Sequence, residues 1–174
     1  MTHKHLFIAL VLLAIASDAR ALEGAGTPDW RTYTNERYGF RLRYPAGVFA
    51  SERQSETGDG EAFIGVRGHG RLLVGAFDNA DGLSIDAYRN LIRGQSYSQY
   101  DVSYAPRGQS WFVLSGENQD SVFYEKVIFS CQGRVINSFA LVYPLASKSF
   151  FDPIVEGIEK SFRPGQECRV HAGR

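Results

Sequence analysis

Few residues in this chain have the type and spacing to do chemistry. Cys131 and Cys168 are the two cysteines among 174 residues. They lack the C-x-x-C spacing of a redox pair, so they read as one structural disulfide formed in an oxidising compartment. The bond closes a loop of 168 − 131 = 37 positions, which the chain-entropy model makes worth about 3–4 kcal/mol. His69 lies in a glycine turn, Gly68-His69-Gly70, and His171 in the polar tail. Neither has a histidine, glutamate or cysteine at ligand spacing, so zinc is not expected. The nearest approach to a nucleophile elbow, Gly108-Gln109-Ser110-Trp111-Phe112, fails at its last position, and no phosphate-cradling glycine motif occurs. Two acidic loops, Asp78-Asn79-Ala80-Asp81-Gly82 and Glu56-Thr57-Gly58-Asp59-Gly60-Glu61, offer oxygens for calcium. Aligned on the loop glycine, they put Phe77 and Ser55 where the first ligand belongs, so both read as ordinary turns. No catalytic set, metal or cofactor is predicted.

Two features remain. Glu125 stands in an apolar strand and, by alternation, shares a face with Phe123 and Val127. A carboxylate there pairs with an arginine or has its pKa raised. The expected partner is Arg41, Arg43 or Arg134. Tyr97, Tyr100, Tyr104 and Trp111 cluster among serines and glutamines. They read either as cover for a sheet edge and helix end or, with Glu125, as a polar-aromatic binding surface.

The elements that position these residues follow a secretion signal. Lys4 precedes an unbroken apolar run over 6–16, and small residues at 19 and 21 give an A-x-A cleavage pattern. Eleven apolar residues span about 16 Å as a helix, half of a bilayer core of about 30 Å. The expected divisions are a signal peptide 1–21, a loose arm 22–29, one domain 30–165 and a tail 166–174 tethered by the disulfide. Cleavage after Ala21 leaves 174 − 21 = 153 residues with a charge balance of 17 − 18 = −1. That balance offers no basic face to nucleic acid, and no later run is long and apolar enough to enter a membrane.

Within the domain, residues 40–44 alternate apolar and basic, a strand with one wet face. Residues 51–60 read as a loop, and 61–66 with 71–77 as a hairpin. A helix over 84–93 starts at a Ser84 cap, buries Ile85, Tyr88, Leu91 and Ile92, and stops at Gly94. Strands follow at 100–105 (an edge), 111–117, 121–130 and 134–143. A second helix spans 151–162 with Ser149 as cap, Pro153 in the first turn, and Ile154, Val155, Ile158 and Phe162 as its buried stripe. In the strand 121–130, Val122, Tyr124 and Ile128 oppose Phe123, Val127 and Phe129, with Cys131 next in line. Both faces are apolar, so both must be covered. The prediction is an α+β fold: an antiparallel sheet with its late strands central, sandwiched between helices, and Cys131 on the face of the second helix.

The segment Tyr33-x-Asn35-x-x-Tyr38-Gly39-Phe40-x-Leu42-x-Tyr44-Pro45 resembles the opening strands of PsbP-like domains. The order of elements over most of 30–165 is similar too, ending in the Phe151–Phe162 helix. The chain also looks like a group of small exported bacterial proteins carrying W-F-V-L-S-G and F-Y-E-K/R-V, here 111–116 and 123–127. The resemblance implies an α-β-α sandwich and a non-catalytic accessory or assembly role, and it supplies no catalytic residues. The function expected is therefore an exported, non-enzymatic interaction module of the periplasm with another envelope protein as partner. The alternative is a small ligand-binding protein or hydrolase whose site is assembled from residues distant in sequence. A concave pocket holding Glu125 or His69 beside a second titratable group would favour that alternative.

Overall fold

The computed structural model describes residues 29–66, 69–166 and 168, without the side chains of 50–52. The expected leader, most of the arm, Gly68 of the glycine turn and His171 lie outside the described residues. Among the described residues nine strands and two α-helices follow in the order β1 (Trp30–Thr34), β2 (Arg41–Pro45), β3 (Phe49–Gln54), β4 (Gly60–Gly65), β5 (Arg71–Asp78), α1 (Ile85–Gln95), β6 (Asp101–Tyr104), β7 (Trp111–Glu117), β8 (Ser121–Ser130), β9 (Val135–Pro144) and α2 (Lys148–Ser161). Strands β3 to β9 make one antiparallel sheet in the order β3-β4-β5-β9-β8-β7-β6. The late strands β8 and β9 are central, as their two apolar faces require.

The strand at 40–44 is the main departure from expectation. β2 does not join the large sheet; it pairs with β1 in a separate two-stranded sheet. One-sided burial fits this, since the hairpin buries Phe40 and Leu42 while Arg41 and Arg43 stay exposed. The turn that closes it is organised by Asn35, which is 2% exposed. Its Oδ1 accepts from the Tyr38 amide at 2.8 Å, and its Nδ2 donates to the Gly58 carbonyl at 2.9 Å and to the Tyr33 hydroxyl at 3.3 Å. Gly39 supplies the positive φ of 71° that the turn needs. The hairpin thus hangs on the loop between β3 and β4. It is stitched to the end of α2 by paired Arg41–Arg163 backbone bonds and by the Arg43 amide to Ser161 Oγ at 2.8 Å. Gly157 of α2 leaves room for the Trp30 indole, which a Cβ there would strike.

Other boundaries also move. Part of the expected 51–60 loop is β3, an edge strand with a bulge between Phe49 and Ser51. Ser84 does cap α1, accepting from the Ala87 amide at 3.2 Å, but the helix runs through Gly94 to Gln95. α2 begins at Lys148, so Ser149 lies inside it, and Pro153 sits in the second turn, where it removes an amide bond. Its stripe of Phe151, Ile154, Val155 and Ile158, with Phe162 beyond, is buried as the spacing predicts.

Two cores flank the sheet. α2 and the β1–β2 hairpin cover the face of Val122, Tyr124, Ile128, Phe139 and Leu141. α1 and residues 96–100 lie on the opposite face with Phe123, Val127, Phe129 and Ile136. Helix two is therefore not on the Phe123–Phe129 face. Cys131 leaves the strand alternation through a backbone of φ 54° and packs with the α2 core instead. The disulfide to Cys168 forms there, across a Cα separation of 5.2 Å.

Asn35→Ala removes three side-chain hydrogen bonds and orphans a buried amide, a loss of about 2–4 kcal/mol. Urea denaturation is expected to show a drop of that size in unfolding free energy; a loss below about 1 kcal/mol would contradict the hub role.

Candidate functional site

The structure separates the residues grouped by sequence. Tyr97 and Tyr100 are 2% and 8% exposed and lie just past the end of α1 against the sheet, where Tyr97 stacks on Phe123 with ring centroids 3.7 Å apart. The Tyr100 hydroxyl bonds Ser121 Oγ at 2.9 Å. Glu125 is in the same core, fully buried, in register with Leu114 and Ala140. These three belong to the interior and not to a binding surface.

The expected arginine does not reach Glu125. Arg41 is in the hairpin, Arg43 lies over the Trp30 ring at 5.9 Å, and Arg134 Nε donates to the Cys131 carbonyl at 3.1 Å. Burial raises the Glu125 carboxyl from the ordinary 4.5 to about 7. The Tyr97 hydroxyl faces it and pulls the value down somewhat, yet falls short of completing a hydrogen bond with either carboxyl oxygen. Burial, and then Glu125, hold the Tyr97 hydroxyl well above its ordinary value, so that proton stays on the phenol.

Tyr104 and Trp111 project from the other face, where α2 stops short of the β6–β7 end of the sheet. Tyr104 is 54% exposed and aligns with Ser115, which aligns with Tyr124. Trp111 is half-buried, with Lys126 Nζ 5.4 Å from its ring centre. Lys126 is held by Glu159 of α2 at 2.9 Å. Burial, followed by the same Glu159, pushes the Tyr124 hydroxyl upward. Tyr104, Trp111, Tyr124 and the Lys126–Glu159 pair form one aromatic shelf with Val113, 1% exposed, in its floor. Tyr124, Lys126 and Glu159 escape sequence reasoning; the register across β6, β7 and β8 reveals the first two, and the ion pair from α2 to Lys126 reveals the third.

Two open clefts lie elsewhere on the described surface. One of about 440 Å³ lies between the hairpin turn and the β3–β4 loop, lined by Tyr33, Asn35, Arg37, Gln54 and Glu61. Burial and Glu61 push the Tyr33 hydroxyl up to about 12. The other, of about 420 Å³, lies at the start of α1 beside Ser110 and Gln132. Neither is lined by Glu125 or His69. His69 Nδ1 is buried and has no partner among the described residues.

No protein-family model matches the sequence, and no curated protein matches it significantly. Solved structures do match the fold. The cyanobacterial PsbP protein (CyanoP) of Synechocystis sp. PCC 6803 aligns with a TM-score of 0.60 at 14% identity, over 81% of this chain and 95% of its own. The Ran-binding protein Mog1p of Saccharomyces cerevisiae aligns at 0.56 and 10% identity, over 79% of this chain and 96% of its own. A variant of Mog1 gives 0.58 and 10%, over 80% and 97%. At these identities the likeness establishes the PsbP-like fold.

Glu125 gives a pH prediction. A carboxyl whose folded pKa exceeds its unfolded value leaves the unfolded state the more ionised one between the two. Stability is then full below about 4.5, falls as pH rises, and levels off above about 7. The total loss is about 3 kcal/mol. Denaturation profiles from pH 4 to 8 are expected to show it, and Glu125→Gln to flatten it; an unchanged slope in the variant would assign the effect elsewhere.

Proposed function

We propose that the chain is an exported, non-enzymatic interaction module of the bacterial periplasm that docks on another envelope protein through the Tyr104–Trp111 shelf. The shelf itself carries this reading: a 54%-exposed tyrosine shares one face of the sheet with a tryptophan whose ring lies against an ion-paired lysine. Tyrosine and tryptophan dominate binding energy at protein interfaces, because they bury large area at little cost in side-chain entropy. Among the described residues the one carboxyl with a strongly raised pKa, Glu125, is closed to solvent and cannot meet a substrate in the folded chain. The fold is shared with a protein described as Ran-binding, an example of this architecture used to hold a protein partner. Export is supported by the leader pattern over 1–21 and by a cysteine pair that suits an oxidising compartment.

A photo-crosslinking residue placed at position 104 in living cells is expected to trap one envelope protein, while the same residue at exposed Glu156 of α2 traps none. Tyr104→Ala should weaken that association about tenfold and leave the thermal midpoint unchanged. Equal adducts from both positions, or none, would remove the shelf from the interface. The exported form is expected to begin at Leu22; a chain that retains Met1 in the cytoplasm would overturn the address.

A further inference from the structure

The two faces of the large sheet are covered unequally. α2 and the hairpin fill one layer, whereas α1 and residues 96–100 fill only the part of the other over β7 and β8. Rows on that second face run Ala62–Leu73–Ala140–Glu125–Leu114 and Ile64–Arg71–Val142–Phe123–Gly116. Their β7–β8 ends are buried, but Ala62, Ile64, Leu73 and Val142 keep partial exposure. Phe77, at one end of the bare region, is 37% exposed, and Leu91 on α1 is 38%.

The bare strip runs from β9 to β3, three strand spacings of about 4.8 Å, or about 14 Å in all. A helix with its side chains is about 10–12 Å across. The strip is thus one helix wide, lies alongside α1, and has Ala62, Gly75 and Ser138 as a low floor. Among the described residues its charged groups are of one sign. Arg53 and Arg71 stand on this face, and among the described residues neither is engaged in an ion pair or hydrogen bond. The carboxylates Glu61 and Asp78 fall on the opposite face by register.

We infer that this strip seats an amphipathic helix of a partner protein, apolar stripe down, with carboxylates facing Arg53 and Arg71. Apolar shape selects a helix, and the uncompensated arginines select its acidic flank. A second copy fits poorly, because a symmetric contact sets the same arginines of both copies against each other. The strip is on the face opposite the Tyr104–Trp111 shelf, so each surface can fail without the other.

The test uses the isotope-labelled full chain and two synthetic amphipathic peptides of about sixteen residues. They share one leucine-alanine stripe and are flanked by glutamates in one case and lysines in the other. The glutamate peptide is expected to shift the amide resonances of Ala62, Ile64, Leu73 and Val142, and to bind at least about tenfold more tightly than the lysine peptide. The double variant Arg53→Glu, Arg71→Glu is expected to reverse that order. Equal binding of the two peptides, shifts mapping to another face, or no shifts at millimolar peptide would overturn the inference. So would sedimentation showing that the chain dimerises through this strip.

Discussion

β8 and β9 carry apolar side chains on both faces, so most of each face has to be covered. Phe123, Val127 and Phe129 of β8 look one way while Val122, Tyr124 and Ile128 look the other. The remaining architecture answers that constraint. The two strands occupy the middle of the sheet, α2 lies over one face, and α1 with its trailing tyrosines over the other. A single wet face on either strand would make one of those layers unnecessary.

The hairpin answers a second need. α2 alone is too narrow to cover its side of a seven-stranded sheet, and β1–β2 widens the layer by placing Phe40 and Leu42 beside Phe162 and Phe63. Asn35 makes this possible because one buried side chain satisfies an amide within its own turn and a carbonyl of the β3–β4 loop. The motif that resembles PsbP-like openings is thus a joint between two sheets, with chemistry directed at the backbone and not at a ligand.

The central strands, the α1 cap at Ser84, the α2 stripe and the cysteine pair were legible in the residues because each rests on local periodicity or on a unique pairing. β1 was not, since Trp30–Thr34 is polar and only its partner makes it a strand. β3 was hidden by the serine and charge of an edge strand. Gly94 misled as a stop signal: a helix ends where tertiary contacts turn the chain, here at Ser96 as Tyr97 enters the core. The candidate site was half legible. Alternation puts Glu125 with Phe123, yet nothing local says that no arginine arrives from across the fold. Tyr97 and Tyr104 have the same composition around them, and only the path of the chain sends one inward and the other out.

The strand order carries a consequence for how the chain reaches this state. β5 pairs with β9, so Arg71 meets Val142 across 142 − 71 = 71 positions. Until β9 exists, the β3–β4–β5 meander has an unpaired inner edge and β8 lacks its neighbour on one side. Long-range pairing of this kind must overcome loop-closure entropy before it gains any contact, which slows folding. The sheet is thus completed only when β9, the last of its strands in chain order among the described residues, docks between β5 and β8, and a chain that has not reached this step holds open, apolar edges for any binder of unfolded protein to grip.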